Sequence, residues 1–225
     1  MEKAVYSAVL TPYKKDLSID TKLFISHCEF LLKKNINLAP LGTTGEANSI
    51  SISEKINLIK IIANSDLPKE KIIVGTGNTS FVDAALLTKN AVENKIYSVL
   101  LLPPFYYKNI SDEGVYQYYK EIINAVKSNN LRIFLYNIPQ VSGVTISIDL
   151  VNRLKKEFSD TITGIKDSSG NFENTKKYKE IMAILYFGNN PKSNAPINAM
   201  PKAKSITNFP PYFSVITPAG IDIKP

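Results

Sequence analysis

The fold class is most clearly visible in two short apolar runs, LRIFLY at residues 131–136 and TITGIK at residues 161–166. Each run is almost continuously apolar, which is typical of a strand that is buried on both faces of a parallel sheet. Between them, residues 147–157 have the spacing of an amphipathic helix and follow Ser147, a favourable N-cap. The segment therefore predicts a β-α-β unit with a right-handed crossover.

The same alternation extends in both directions along the chain. The predicted strands are residues 4–11, 36–41, 71–75, 97–102, 131–136, 161–166 and 184–187. The predicted helices are residues 21–34, 53–64, 80–93, 111–128, 147–157 and 173–182, and Ser51 with Glu54 fits a capping box before the second. Six strand-then-helix units predict an α/β protein with a parallel sheet. A barrel and an open doubly wound sheet both fit this pattern.

Composition narrows the class of protein. The 225 residues are 44% hydrophobic and 21% charged, as in a globular protein, and no apolar run approaches the roughly 20 residues of a membrane span. Residues 1–13, MEKAVYSAVLTPY, lack the features of a signal peptide, so we expect a cytoplasmic protein. A single cysteine, Cys28, allows no internal disulfide. The single histidine, His27, lies inside the first predicted helix, which disfavours a His-dependent triad and most metal sites, so no metal is expected.

The net charge of +7 does not indicate a nucleic-acid partner. Its basic residues are almost all scattered lysines, and Arg132 and Arg153 are the only arginines. Readers of nucleic acid usually cluster basic residues and rely on arginine. The pattern predicts a solvated surface, and a weak field that steers small anions is the alternative.

The character of the sequence changes near residue 188. Residues 189–225 hold seven of the 13 prolines and show neither a helical nor a strand period beyond a short FSVIT. We therefore expect the domain built of alternating strands and helices to occupy residues 1–188 and an irregular tail to occupy residues 189–225.

Reactive side chains collect where the predicted strands end. Lys166 closes one apolar strand and Tyr136 closes the strand before it. Burial lowers the pKa of an amine, and a neutral amine can condense with a ketone to form a Schiff base. A neighbouring phenol can move protons because it both donates and accepts.

A second group of small and hydroxyl residues follows the second predicted strand, Gly42-Thr43-Thr44-Gly45-Glu46. Small residues allow backbone amides to approach an anion, and two hydroxyls add donors, which suits a carboxylate or phosphate. The segment also fits an ordinary turn before a helix. It lacks the Lys-Ser/Thr ending of a P-loop, which disfavours nucleotide hydrolysis.

Six motifs in this order, SAVLTPY, GTTGE, GTGN, PPFYYK, YNIPxxSG and GIKDSSG, resemble the dihydrodipicolinate synthase / N-acetylneuraminate lyase family of pyruvate-dependent class I aldolases. The resemblance runs from about residue 4 to residue 188. It implies a (β/α)8 TIM barrel, assembly into a homo-oligomer such as a dimer or tetramer, and no cofactor.

The resemblance also implies roles for individual residues. Lys166 matches the Schiff-base lysine, Tyr136 the proton-transferring tyrosine and Thr43 the hydroxyl that relays protons to it. Tyr107 matches an aromatic residue that many members contribute across a subunit interface, and Thr44 matches the hydroxyl that holds the pyruvate carboxylate. The complete set of expected substrate-binding residues is Thr44, Gly42, Gly45, Ser142 and Gly143.

Two departures from the family pattern affect the expected function. Val141 stands where synthases carry an arginine that holds the second substrate, so the sequence is closest in motif to the 2-keto-3-deoxy sugar-acid aldolases. The barrel pattern stops after the sixth or seventh βα unit. The expected reaction is cleavage or formation of a 2-keto-3-deoxy sugar acid from pyruvate and an aldehyde. Condensation of pyruvate with aspartate semialdehyde and a non-catalytic remnant are the alternatives.

Overall fold

The structure is a computed structural model that describes residues 5–184. Seven short strands alternate with helices along this part of the chain. The strands are β1 (Tyr6–Ala8), β2 (Asn37–Ala39), β3 (Val74–Gly75), β4 (Ser98–Leu101), β5 (Arg132–Asn137), β6 (Ile162–Asp167) and β7 (Ala183–Ile184). The helices are α1 (Thr21–Lys33), α2 (Ile52–Asn64), α3 (Phe81–Glu93), α4 (Asp112–Val126), α5 (Pro139–Ser142), α6 (Ile148–Glu157) and α7 (Phe172–Ile181).

All strand pairs are parallel and follow chain order. β1 pairs with β2, and β3 to β7 form one sheet in the order β3-β4-β5-β6-β7. A parallel bridge between Leu38 and Ile72 links the two groups, and Gly75 N donates to Pro40 O at 2.8 Å. Strict chain order is that of a barrel wall, whereas a doubly wound sheet reverses its strand order at a switch point. The structure therefore favours the barrel over the open sheet.

The predicted helices agree closely with those observed, whereas the strands predicted at residues 4–11 and 71–75 are shorter in the structure, at Tyr6–Ala8 and Val74–Gly75. Each of the six predicted helices is present within two residues of its expected bounds. The seventh predicted strand, 184–187, overlaps β7 only at residue 184, and residues 185–187 and the predicted tail at 189–225 lie outside the described residues. The short helix α5 was not predicted, because four residues after a proline do not establish a helical period.

Helix starts carry the polar caps that the sequence indicates. Ser51 and Glu54 form the expected capping box at α2, with Glu54 N donating to Ser51 Oγ at 3.3 Å and Ser51 N to Glu54 Oε2 at 3.1 Å. Ser80, Ser111 and Ser147 cap α3, α4 and α6, each hydroxyl accepting a hydrogen bond from a backbone N–H of the first turn. None of the helices within residues 5–184 is long and apolar enough to cross a membrane.

Alternate residues of each strand face two different cores. Ile133 and Leu135 of β5 belong to the large cluster between the sheet and the helices, whereas Phe134 and Tyr136 belong to a smaller interior cluster. This alternation follows from the two-residue period of a strand. In β6, Gly164 and Lys166 are in register with Phe134 and Tyr136. Lys166 is therefore directed to the interior side, at the carboxyl end of its strand.

Candidate active site

Lys166 and Tyr136 lie side by side at the carboxyl ends of β6 and β5. The two residues are direct partners in the strand register, and Lys166 Nζ lies 4.3 Å from the centroid of the Tyr136 ring. Lys166 is only 8% exposed, and this burial lowers the pKa of its ammonium to about 8. At neutral pH about a tenth of such a group is the free amine, which is several hundred times the neutral fraction of an ordinary lysine. The position supplies a nucleophilic amine.

The phenol of Tyr136 is linked to Thr43, which follows β2. Their hydroxyl oxygens are 3.3 Å apart, and either can donate. Burial raises the pKa of Tyr136, while hydrogen bonds with the side chains of Thr43 and Ser168 oppose this effect. Tyr136 therefore stays a neutral phenol near pH 7, suited to passing a proton along the Tyr136–Thr43 pair rather than acting as a fixed phenolate.

A buried polar network fixes the strand ends just beyond this pair. Asn137 is fully buried, and its Nδ2 donates to Asp167 Oδ1 at 2.9 Å, while its Oδ1 accepts from Ile146 N at 3.1 Å. Asp167 Oδ2 accepts a hydrogen bond from the Thr175 hydroxyl at 2.6 Å, and Asp167 Oδ1 also accepts one from Ser169 N at 3.0 Å. The carboxylate is thus occupied by structural contacts, and it holds β5 against β6.

The Asn137–Asp167 network was not predicted from the sequence, although the positions of the two residues along the chain could have indicated it. Asn137 and Asp167 each follow a predicted reactive residue by one position. In adjacent parallel strands, residues that follow a paired position also become partners, and the observed register pairs these two residues.

The segment after β2 makes a close turn at the mouth of the barrel. Gly45 packs against the end of β1: a Cβ there would lie 2.7 Å from Val9 O, and Thr11 Oγ1 donates to Gly45 O at 2.8 Å. Thr44 is exposed in this turn, and Gly42 and Thr43 line a small cleft. The other residues lining the cleft include Leu41, Asn48, Gly77 and Tyr136.

Ser142 and Gly143 lie on the neighbouring connection after β5. The Ser142 hydroxyl is 3.1 Å from Ile138 O and 2.9 Å from Val144 O, so it is bonded to backbone groups already. Gly143 adopts the left-handed conformation at φ +67° and ends α5. Both residues shape the turn that carries Val141, which is 41% exposed.

Tyr107 lies apart from the other predicted catalytic residues within residues 5–184. Its side chain is 76% exposed, and its ring packs edge-on against Tyr106 with the centroids 5.1 Å apart. The structure therefore brings together Lys166, Tyr136, Thr43 and Gly42, and leaves two large aromatic rings in solvent on the β4–α4 loop.

Within the described part of the chain, no group of three or more His, Cys, Asp and Glu residues could hold a metal ion. His27 and Cys28 both lie in α1, away from the strand ends. Burial raises the pKa of the Cys28 thiol to about 12, so this cysteine stays protonated.

Comparison with known proteins shows the relationships of this chain. It is 34% identical over 173 residues to 4-hydroxy-tetrahydrodipicolinate synthase of Archaeoglobus fulgidus. The aligned residues cover 77% of this chain and 57% of that protein. The chain spans 57–59% of the length of three curated relatives that it matches.

Solved structures of both reaction types have the same fold. Dihydrodipicolinate synthase from Acinetobacter baumannii, solved with pyruvate, is 36% identical with a TM-score of 0.73, covering 84% of this chain and 64% of that one. The 2-keto-3-deoxygluconate aldolase from Picrophilus torridus is 29% identical with a TM-score of 0.75, covering 84% of this chain and 68% of that one.

These matches confirm the predicted α/β fold of the TIM-barrel type and the resemblance drawn from the six motifs. The sequence pattern of the Dihydrodipicolinate synthetase family matches residues 1–194, most of the chain. This chain belongs to that family.

Proposed function

We propose that this protein is a Schiff-base-forming class I aldolase that cleaves or forms a 2-keto-3-deoxy sugar acid, with pyruvate and an aldehyde as the smaller partners. One observation carries the proposal: Lys166 is a buried amine with a pKa lowered to about 8, beside the phenol of Tyr136. The presence of pyruvate in the solved Acinetobacter relative supports the choice of keto acid.

In the cleavage direction, Lys166 Nζ attacks C2 of the keto acid, and loss of water gives a protonated imine. The Tyr136 phenol gives its proton to the hydroxide that leaves as water in this step, and the resulting phenolate, hydrogen-bonded to Thr43 at 3.3 Å, then accepts the proton of the C4 hydroxyl. The C3–C4 electron pair then moves toward the iminium nitrogen, which releases the aldehyde and leaves an enamine. Return of the proton to C3 and hydrolysis of the imine release pyruvate and restore the amine.

The turn after β2 is the proposed carboxylate site. Thr44 and the backbone of Gly42 and Gly45 would hold the pyruvate carboxylate, because the turn is built from small residues and borders the cleft that Tyr136 also lines. Orientation by this contact would place the ketone carbon near Lys166. Ser142 and Gly143 would contribute through the shape of their turn, since the Ser142 hydroxyl is bonded to the backbone.

The preference for a sugar acid rests on Val141. An isopropyl group cannot form the bidentate contact that an arginine makes with a carboxylate. We therefore expect kcat/KM for cleavage of 2-keto-3-deoxygluconate to exceed kcat/KM for condensation of pyruvate with aspartate semialdehyde. The synthase reaction remains the second candidate because the Archaeoglobus relative carries that name, and a higher kcat/KM with the semialdehyde would select it.

Tyr107 is proposed to complete the site across a contact between two copies of the chain. Tyr106 and Tyr107 are adjacent aromatic residues that are 71% and 76% exposed, and such rings are suited to burial against a second copy of the chain. Sedimentation of the parent chain and Tyr107→Ala would test this assembly, and an unchanged association constant would contradict it.

The decisive experiment is trapping with pyruvate and borohydride followed by peptide mapping. Reduction of the imine should leave a stable secondary amine on Lys166. Lys55 of α2 is a matched comparison, because it is also buried, at 3% exposure, and desolvation lowers its pKa as well. An adduct on Lys166 but not on Lys55 would show that position as well as burial selects the nucleophile. No adduct in a folded sample would favour a non-catalytic protein.

A further inference from the structure

The side chain of Lys108 joins the β4–α4 loop (residues 102–111) to the β5–α6 connection (residues 138–147). Lys108 Nζ donates to Phe105 O at 2.5 Å within its own loop and to Ser142 O at 2.9 Å in the other. Both acceptors are neutral carbonyls, and no carboxylate of residues 5–184 pairs with Lys108. These are charge-assisted bonds, the stronger class of hydrogen bond.

The Lys108 side chain packs directly against Gly143, the residue that follows Ser142. A Cβ built on Gly143 would lie 2.6 Å from Lys108 Cδ, 3.0 Å from Cε and 3.1 Å from Nζ. The lysine chain therefore lies directly on the face of the glycine, where another side chain would displace it. The left-handed φ of Gly143 independently favours glycine at this position.

The same turn is tied on its other side to the loop that follows Lys166. Gln140 Nε2 donates to Ser168 O at 3.0 Å and to Ser169 O at 2.8 Å. Three consecutive loops at the mouth of the barrel are thus connected through the turn at residues 139–143. Val141, the residue proposed to face the second reactant, lies between the two ties.

We propose that Lys108 is a positioning residue for the second reactant of the reaction proposed above, on which this inference rests. It holds the turn that carries Val141 at a fixed distance from the reacting pair. Lys166 and Tyr136 themselves are held by strand pairing and by the Asn137–Asp167 bond. Loss of the lysine ammonium therefore loosens recognition of the aldehyde end of the substrate and leaves formation of the pyruvate imine intact.

The test compares Lys108→Met, which keeps most of the unbranched side chain but removes the hydrogen-bond donors, with Lys108→Arg, which keeps donors at this position. Lys120→Met is the matched control, because Lys120 also spans two elements, through a 3.1 Å ion pair with Glu157 on the outer surface. For Lys108→Met we expect the KM for the aldehyde in the condensation direction to rise about tenfold while kcat changes less than about threefold. Lys108→Arg should restore most of the loss, and Lys120→Met should match the parent.

Borohydride trapping of pyruvate separates this proposal from the proposed function. Trapping should proceed equally in the parent chain, Lys108→Met and Lys120→Met. A parallel loss of trapping and turnover in Lys108→Met would show a general structural defect and overturn the positioning role, as would an unchanged KM. If the parent chain itself traps no pyruvate, the proposed function fails. Amide hydrogen exchange at residues 141–144 then decides: faster exchange in Lys108→Met than in Lys120→Met supports the positioning contact, and equal exchange overturns it.

Discussion

Replacement of the reactive lysine should make the protein more stable. Lys166→Met removes an ammonium that is only 8% exposed and keeps most of the unbranched side chain. The fall of its pKa from 10.5 to about 8 corresponds to about 3 kcal/mol of unfavourable burial, at about 1.4 kcal/mol for each tenfold change in proton affinity. Against this, the variant loses the contacts that Nζ makes, among them the contact with the Tyr136 ring at 4.3 Å, which is worth about 1 kcal/mol. Desolvation is the larger effect, so we expect a gain of about 2 kcal/mol at pH 7.

The gain should depend on pH in one direction. The pKa of Lys166 is lower in the folded protein than in the unfolded chain, so between about pH 8 and 10.5 the unfolded state binds more protons. The stability contributed by this group therefore rises with pH across that window, and the full burial penalty applies only below it. The advantage of Lys166→Met should consequently be complete at pH 7 and should largely disappear by about pH 10.5.

Urea unfolding followed by circular dichroism at pH 7 and pH 10 would measure both effects. The control for charge removal is Lys120→Met, which replaces a partly exposed lysine of the outer surface. Lys120→Met should change the midpoint little at either pH. Two results would contradict the argument that a charged amine is buried at this site: Lys166→Met less stable than the parent at pH 7, or more stable than the parent by the same amount at pH 7 and pH 10.

Further outcomes follow from the same geometry. The initial rate of pyruvate trapping should rise about tenfold per pH unit below pH 7 and level off above about pH 8, because only the neutral amine of Lys166 attacks; a rate independent of pH would contradict the lowered pKa. Tyr136→Phe should retain trapping but lose about 10²–10⁴-fold in turnover, measured as release of aldehyde, and full turnover would remove the phenol from the mechanism. Gly75→Ala should unfold the protein at much lower urea than the parent, since its Cβ would lie 1.9 Å from Leu41 O, whereas Gly42→Ala, with its nearest atom at 3.9 Å, should be tolerated.

The central pair of the site could be predicted because it depends on a regular element. Tyr136 and Lys166 end two consecutive apolar runs, and consecutive strands of a parallel barrel are neighbours in space. Because side chains alternate between the two faces of a strand, Tyr136 and Lys166 at equivalent positions lie on the same face of the sheet. The structure confirms this arrangement with a direct register pairing.

The loop contacts could not be predicted in the same way. Lys108 is one of many lysines, and its bond to Ser142 O joins residues 34 positions apart through a flexible side chain that no periodicity constrains. The helix α5 is too short to show a period, and Gly143 shows its steric role only when the lysine is in place. The contact between Thr43 and Tyr136 spans 93 positions, so the residues alone did not establish it and only the family resemblance implied it.

The spacing of these residues along the chain has a consequence for the order in which the site assembles. Tyr136 and Lys166 belong to a single β-α-β unit, and their neighbours Asn137 and Asp167 are only 30 positions apart. Thr43 must be brought back from the far end of a segment of 93 residues. Loop-closure entropy increases with the length of the segment that is closed, and contacts between distant residues tend to form late in folding. During refolding of the whole chain, the pairing of the nucleophile with the phenol should therefore form before the hydrogen bond between the phenol and Thr43.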